Sequence, residues 1–431
     1  MDSIQYRSLE EQQLYQGNEL QKTLQYLQQH SPYYRNLFKN KSIEISKIKS
    51  LSDLVGLPTT DKEDLQLHHA EFLCVPQEKI IEYSATSGTM GSPVYIAQTQ
   101  NDLDRLAHNE YLSFQTMELS KNDTVQLLLT LDRQFMAGMA YYSGLRKLGA
   151  GIIRSGPGLP SLQIETIKKL RPSTLVAVPS FLLKLIEYCT IEQIDINSLG
   201  IEKVLCIGEN IRSTDGELNI LAQKITNEWH LKLFGTYACT EMQTAFTECS
   251  YGCGGHHQPE LILIEIVDNE GKPLGPGEYG EVTITTLGVE AMPLLRFRTG
   301  DISSFDDKPC ACGRKTIRLG PIVGRKKQMI KYKGTTLYPS SIFDMLNHFS
   351  IIKEYVVEVL QNELESDDLI LHIATDVSID TCESKLKPFL QSRLRIIPKI
   401  QYHTTEEIIA IQYPNAGRKP IKFIDRRNNN L

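Results

Sequence analysis

Basic residues are not in excess in this 431-residue chain: 46 lysines and arginines stand against 52 aspartates and glutamates, a formal charge of −6. A surface with no overall positive balance has no general attraction for nucleic acid or acidic lipid, so no nucleic acid and no membrane is expected as a partner. Any polyanion must be met locally. No apolar run approaches the roughly 18 residues of a membrane span, and Met1-Asp2-Ser3-Ile4-Gln5-Tyr6-Arg7 lacks the charged and then apolar regions of a secretory leader. A cytoplasmic protein is expected. Nine cysteines, an odd number scattered along the chain, disfavour a disulfide framework and suit reduced thiols or a metal site. Internal repeats and long low-complexity tracts are absent, although Asn428-Asn429-Asn430 suggests a frayed end.

What is present reads as a large globular protein, 41% apolar and 23% charged, with length enough for a substantial core and a smaller domain. Residues 6–40 read as helical, broken at Ser31-Pro32-Tyr33-Tyr34. Strand-like 125–131, helical 136–148, strand-like 151–154, helical 161–169, strand-like 174–178, helical 181–188 and strand-like 203–207 then alternate, which implies a mostly parallel, helix-covered sheet. Residues 261–268, 280–287 and 293–298 are strand runs separated by short turns and predict an antiparallel meander. Beyond Gly324-Arg325-Lys326-Lys327-Gln328 come strands at 354–360 and 369–374 and a helix at 380–394. The fold class is therefore α/β: a large N-terminal domain, 1–324, with mostly parallel helix-covered sheets plus an antiparallel β meander, and a small mobile C-terminal α/β domain, 325–431.

The most informative segment is Ser84-Ala85-Thr86-Ser87-Gly88-Thr89-Met90-Gly91-Ser92-Pro93, set between a short apolar run and a strand-like one. Small hydroxyl side chains supply donors, and glycines let backbone N–H groups turn toward one point, so the loop suits a phosphate; an ordinary turn uses the same residues. It is not a P-loop, which needs a lysine and a helix start where Ser92-Pro93 stands. Further along, Phe234-Gly235-Thr236-Tyr237-Ala238-Cys239-Thr240-Glu241 follows a strand-like run. At the carboxyl end of a parallel strand Tyr237 can stack on a base, Thr240 can donate to phosphate and Glu241 can hold Mg²⁺; a Thr-Glu at a helix start also serves as a cap. Arg296-Phe297-Arg298-Thr299-Gly300-Asp301 ends a strand on a carboxylate matched to a vicinal diol, or to a turn. Gly208-Glu209 is a further edge candidate, and Arg325 and the terminal Gly417-Arg418-Lys419 are basic positions in or near the smaller domain.

Cys249, Cys253, His256, His257, Cys310 and Cys312 fall in two clusters. Structural zinc takes four thiolate or imidazole ligands, and the preferred set is Cys249, His256, Cys310 and Cys312, with Cys253 or His257 as substitutes. Isolated reduced cysteines are the alternative.

In order and spacing these motifs resemble the adenylate-forming superfamily of acyl-CoA synthetases, luciferases and adenylation domains. Within it the chain looks like the phenylacetate-CoA ligase family, on Ser31-Pro32-Tyr33-Tyr34-Arg35, Leu57-Pro58-Thr59-Thr60-Asp61-Lys62-Glu63-Asp64-Leu65 and Tyr338-Pro339-Ser340-Ser341-Ile342. The resemblance implies an ATP-dependent acid:CoA ligase that makes an acyl-adenylate with release of pyrophosphate and then a thioester of coenzyme A. It implies Lys419 as the catalytic lysine. Ser84, Thr86, Ser87, Gly88, Thr89 and Gly91 would hold phosphates, Thr240 and Glu241 phosphate and Mg²⁺. Gly208, Glu209, Gly235, Thr236 and Tyr237 would flank the nucleotide, and Asp301 and Arg325 the ribose. An aryl or arylacetic acid is expected near Phe135, Met136, Gly138, Met139 and Phe181, although the same side chains serve core packing. Two departures stand out: Ser92 where many relatives carry lysine, and Gln328 where the hinge is usually Asp or Lys. Partners are then a small carboxylic acid, ATP and CoA, with a homodimer as an expectation. Alternatives are an adenylation enzyme that loads a carrier-protein phosphopantetheine and a non-catalytic nucleotide-binding homologue.

Overall fold

The computed structural model describes residues 3–86, 93–332, 335–361, 367–394, 397–414 and 420–427. The chain divides into two compact units, Met1–Ile322 and Val323–Leu431.

The larger unit begins with the helix Leu9–His30, capped by Ser8 and Glu11 in a reciprocal box. Ser31 ends it and caps the next helix, Pro32–Asn40, by accepting from the Tyr34 N–H, with proline at the first helical position. A short hairpin follows, β1 (Glu82–Ala85) and β2 (Tyr95–Gln98). Strands β3 (Thr124–Leu127), β4 (Gly151–Arg154), β5 (Thr174–Ala177), β6 (Lys203–Cys206) and β7 (Lys232–Cys239) are joined in parallel in the spatial order β4-β3-β5-β6-β7. Their alternate residues serve two cores. Leu175, Ala177, Val204 and Cys206 pack with Ile164, Leu182, Leu185 and Ile225 of the helices on one side. Val125, Leu127, Val176, Leu205 and Phe234 pack with Phe114, Tyr141 and Leu145 on the other. Burial on both faces explains why β5 and β6 read as continuous apolar runs.

Beyond β7 the sheet continues through antiparallel partners: β8 (Thr244–Glu248), β9 (Gly255–His256), then β14 (Arg318–Leu319) and, at the edge, β13 (Phe305–Asp306). The intervening residues form the antiparallel meander of β10 (Ile262–Val267), β11 (Gly280–Thr286) and β12 (Phe297–Ser303). Its core is shared with Leu20, Leu24 and Leu27 of the first helix.

Three sequence expectations change here. The third meander run, expected at 293–298, is displaced toward Phe297–Ser303. Leu294 and Leu295 are buried in a turn, where Tyr34 Oη accepts from the Leu295 N–H at 2.9 Å. Arg296 then takes a left-handed φ of 45°. Its guanidinium pairs with both Glu265 oxygens at 2.9 Å, so the chain enters the strand one residue later. R-T-G-D therefore lies inside a strand rather than at its end. Helices Gln100–Thr116 and Ile220–Glu228 were not anticipated.

In the smaller unit Ile352–Gln361 pairs antiparallel with Asp367–Thr375, flanked in parallel by Phe423–Asp425 and Lys399–His403. Helices Pro339–Asn347, Ile379–Leu394 and Thr405–Gln412 accompany this sheet. No helix among the described residues is long and apolar enough to cross a membrane.

Candidate functional site

Strand β7 is where the sheet changes character. Cys206↔Gly235 is its last parallel pair with β6, and Thr236↔Thr247 its inner antiparallel pair with β8. Because β6 stops at Cys206 while β7 runs on, a crevice opens at the carboxyl end of β6, the position at which ligands sit in sheets of this kind. It is lined by Glu209, Ile211, Gly235, Thr236, Tyr237 and the 319–322 segment, among others.

Tyr237 reaches from β7 to β12 and donates its phenol to Asp301 Oδ2 at 2.8 Å. Burial and the Asp301 charge beside it push the Tyr237 phenol well above its ordinary range, so it remains a donor. Thr299 holds the backbone of the same residue: its Oγ1 accepts from the Asp301 N–H at 3.1 Å and donates to the Val282 carbonyl at 2.9 Å. Tyr237 thus does more than offer a ring face; it orients the acceptor.

Thr240 and Glu241 occupy the turn between β7 and β8, not a helix start as the cap reading required. Glu241 is 7% exposed, and the Lys62 ammonium lies 3.8 Å from its Oε1. At the end of β7 the half-buried Cys239 thiol, desolvated and beside the Glu241 and Asp301 carboxylates, is pushed well above its ordinary range and stays protonated.

The hydroxyl loop is entered through a closed neck. Thr86 N donates to Val94 O, and Thr86 Oγ1 accepts from Val94 N, both at 2.9 Å. Ser84 is fully buried in β1 and donates to Gln98 Oε1 at 2.9 Å. That hydroxyl ties the hairpin together and is not turned to a ligand, which corrects its assignment. Ser87, Gly88, Thr89 and Gly91 lie outside the described residues, as does Lys419. Arg325 belongs to the Val323–Leu431 unit.

Glu209 also has a structural duty. Its carboxylate accepts from Ser180 N and Ser180 Oγ, each at 2.8 Å, and so caps the helix Pro179–Ile191, whose own N-cap residue Val178 has no capping side chain. Gly208, at φ 72°, makes the turn that brings it there. A Cβ at Gly235 would press on the Glu248 side chain at 3.2 Å and that of Ile211 at 3.3 Å, so the position is tight for anything larger than glycine. Two crevice residues had no signal in the sequence: Glu248, which accepts from Gly235 N at 3.2 Å, and Arg212, which pairs with it at 2.6 Å.

Of the apolar candidates, Met136 is buried in the core with Met242 and Phe246. Gly138 permits the helix Met136–Leu148 to press on the Thr130 carbonyl, 2.2 Å from where a Cβ would stand. Phe181 packs against the core holding Leu182 and Leu185. Phe135 and Met139 are exposed at 37% and 38%. They follow a strained turn, Arg133 and Gln134 at φ 57° and 60°, whose Gln134 carbonyl accepts from the Ala85 N–H at 2.9 Å. The turn thereby docks beside the start of the hydroxyl loop.

The ligand atoms of Cys249, His256, Cys310 and Cys312 all lie within 4.8 Å of one another. Cys249 Sγ is 3.6 Å from Cys310 Sγ, and Cys312 Sγ 3.5 Å from His256 Nε2. A tetrahedron with zinc–sulfur bonds of about 2.3 Å has edges of about 3.8 Å, so a donor set no more than 4.8 Å across is compatible with that ion. Cys253 Sγ is 3.5 Å from Cys310 but is engaged by Arg318 Nη1 at 2.7 Å. His257 points elsewhere, its Nε2 on the Ile262 carbonyl at 2.6 Å, and is no substitute ligand.

The family described as AMP-binding enzyme matches residues 34–291, more than half of the chain. The phenylacetate-coenzyme A ligase of Escherichia coli is 26% identical over 441 aligned positions, covering 99% of this chain and 98% of that protein. That of Thermus thermophilus is 27% identical over 377, covering 83% and 80%. A solved 2-hydroxyisobutyryl-CoA ligase, in the postadenylation state in complex with R3-HIB-AMP, superposes with a TM-score of 0.85 at 21% identity, covering 98% of this chain and 91% of that one.

Proposed function

The chain belongs to the AMP-binding enzyme family, and we propose that within it the protein is an ATP-dependent acid:CoA ligase acting on an aryl or arylacetic acid. The observation that carries this is the convergence of Tyr237-oriented Asp301 and buried Glu241 beside the crevice at the end of β6.

A carboxylate is a poor acyl donor because its anion would have to expel oxide. Joining it to AMP supplies a leaving group, but two anions must first be brought together, so the site must neutralise charge and hold an in-line approach. Asp301, steadied by Tyr237 and Thr299, receives ribose hydroxyls. Thr240, Thr86 and the hydroxyl loop hold phosphates. Glu241 would hold Mg²⁺, which when bound screens the triphosphate. Phe135 and Met139, next to the Ala85 neck, form the exposed apolar face offered to an aryl group. Lys419, carried by the smaller unit, bridges the carboxylate and α-phosphate; rotation at Lys327-Gln328 withdraws it for attack by the CoA thiol. Cys249, His256, Cys310 and Cys312 would hold a structural Zn²⁺ that fastens β8, β9 and the 310–312 turn, with Thr316 Oγ1, 2.8 Å from His256 Nδ1, fixing the imidazole.

The test is acid-dependent exchange of pyrophosphate into ATP over a panel of aryl, arylacetic and short hydroxy acids, followed by thioester formation with CoA. Exchange with arylacetic acids is expected, and Lys419→Ala should suppress exchange more than thioester formation from supplied acyl-adenylate. Equal loss of both half-reactions would remove Lys419 from this role. Transfer to a carrier-protein phosphopantetheine but not to CoA would replace the acceptor.

A further inference from the structure

The hydroxyl loop has no cation of its own at Ser92. One stands nearby in space. Lys62 Nζ lies 3.8 Å from Glu241 Oε1 and 3.5 Å from Thr86 Oγ1, so a single ammonium touches both the turn after β7 and the neck of the loop. Its side chain is 41% exposed, able to turn toward a solvent-borne ligand, whereas Glu241 is nearly enclosed.

The position is built rather than incidental. Thr60 is stitched to the entry of β12: its N–H donates to Arg296 O at 3.1 Å, its carbonyl accepts from Arg298 N at 2.7 Å, and its Oγ1 donates to Leu295 O at 3.1 Å. Asp61 then caps the helix Lys62–Leu67, accepting from Glu63 N at 2.8 Å and Asp64 N at 3.1 Å. The strand that carries Asp301 therefore also fixes the backbone from which Lys62 extends. Asp61 and Asp64 are occupied in that capping box, and the carboxylate that faces the ammonium is Glu241.

We propose that Lys62 is a phosphate-binding residue, supplying at the β- and γ-phosphates of ATP the positive charge that the loop itself lacks. This rests on the ligase reading. In the first half-reaction a carboxylate oxygen forms a bond to the α-phosphorus, and the α–β bridging oxygen departs with its electron pair on pyrophosphate. No proton need be transferred. Lys62 meets the charge that collects on the departing group, and the second half-reaction, which involves no pyrophosphate, does not need it.

Titration calorimetry with Mg·ATP and separately with AMP, on wild type, Lys62→Met and Lys62→Arg, tests the assignment alongside exchange and thioester assays. Lys62→Met should weaken ATP binding about tenfold or more and leave AMP binding and thioester formation from supplied adenylate within about twofold. Lys62→Arg should recover most of the ATP affinity. Equal weakening of ATP and AMP, with arginine giving no rescue, would make the residue structural and overturn the proposal. So would ATP binding and exchange unchanged in Lys62→Met. A wild-type protein that neither binds Mg·ATP nor exchanges pyrophosphate would overturn the ligase reading itself, and this one with it.

Discussion

The two halves of the nine-stranded sheet solve different problems with one hydrogen-bonded surface. From β4 to the start of β7, alternate side chains enter two apolar cores, and the buried residues of β5 and β6 include Leu175, Val176, Ala177, Val204 and Leu205. From the end of β7 through β14, Phe246 and Leu319 remain apolar and buried, but the buried set also takes in Glu248, Thr247, His256 and Arg318, which bond to Arg212, Thr236, Thr316 and Asp306. Stability in the first half is apolar burial, which is non-directional. In the second half it depends on particular partners, because a buried polar group left alone costs about 1–3 kcal/mol. The proposed site lies along the seam, where a rigid apolar scaffold can hold polar groups in fixed geometry.

Removing the metal proposed for the cysteine cluster is the strongest way to break that contrast. Purified protein is expected to carry one zinc per chain. Chelation should lower the unfolding temperature by many degrees, since structural zinc contributes on the order of several kcal/mol even after its ligands relax. Hydrogen exchange should then rise in β8, β9 and β14 while β5 and β6 remain protected. Metal-free protein with an unchanged melting temperature would mean that four reduced side chains suffice to close the edge.

The same contrast explains what the sequence made legible. Strand 203–206 and the helix at 136–148 stand out because both-face burial writes an uninterrupted apolar run and a packed helix a regular apolar spacing. The helix Gln100–Thr116 was hidden for the opposite reason. Its buried positions include Asp102, Asn109, Glu110, Ser113 and Thr116, which dilute the apolar period, although Thr99 and Asp102 form a capping box that marks its start. At the site, Asp301 and Tyr237 could each be singled out, but not their hydrogen bond, which joins residues 64 apart. Glu209 drew notice as a carboxylate at a strand end, yet a helix start claimed it. Lys62 was visible only as one residue of the Leu57–Leu65 phrase that carries the family resemblance. The one local hint is a cation at a helix's first residue, where the backbone dipoles disfavour it.

Glu110 sharpens the comparison from the other side, as a polar group in the helical layer that covers the parallel strands. It is 4% exposed, Asn109 Nδ2 donates to its Oε1 at 2.9 Å, and its Oε2 has no hydrogen-bond partner among the described residues. Burial pushes its carboxyl up from 4.5 to about 8. Below pH 4.5 the group is protonated folded or unfolded, so it adds no pH dependence. Between 4.5 and about 8 the unfolded chain gives up a proton that the folded one retains, so stability falls as pH rises, and above about 8 the effect is constant. Glu110→Gln should therefore stabilise the protein by on the order of a few kcal/mol at pH 8 and by almost nothing at pH 4, read from urea unfolding at the two values. A gain of equal size at both would assign the effect to amide packing instead.

Tyr237→Phe probes the seam itself and should be the mildest change. The ring keeps its packing, 6.1 Å from Phe246 between centroids, while the O–H that meets Asp301 at 2.8 Å is lost. Thr299 still holds the Asp301 backbone, so the strand stays in place and the melting temperature should move by no more than a few degrees. What changes is the aim of one carboxylate. A hydrogen bond to a charged group contributes about 1.5–3 kcal/mol, part of which solvent restores at a partly open site, so the KM for ATP in exchange should rise about tenfold with kcat nearly constant. If kcat fell instead while KM held, Tyr237 would be acting on the transition state, and the division between a scaffold that positions and a seam that reacts would have to be moved one residue.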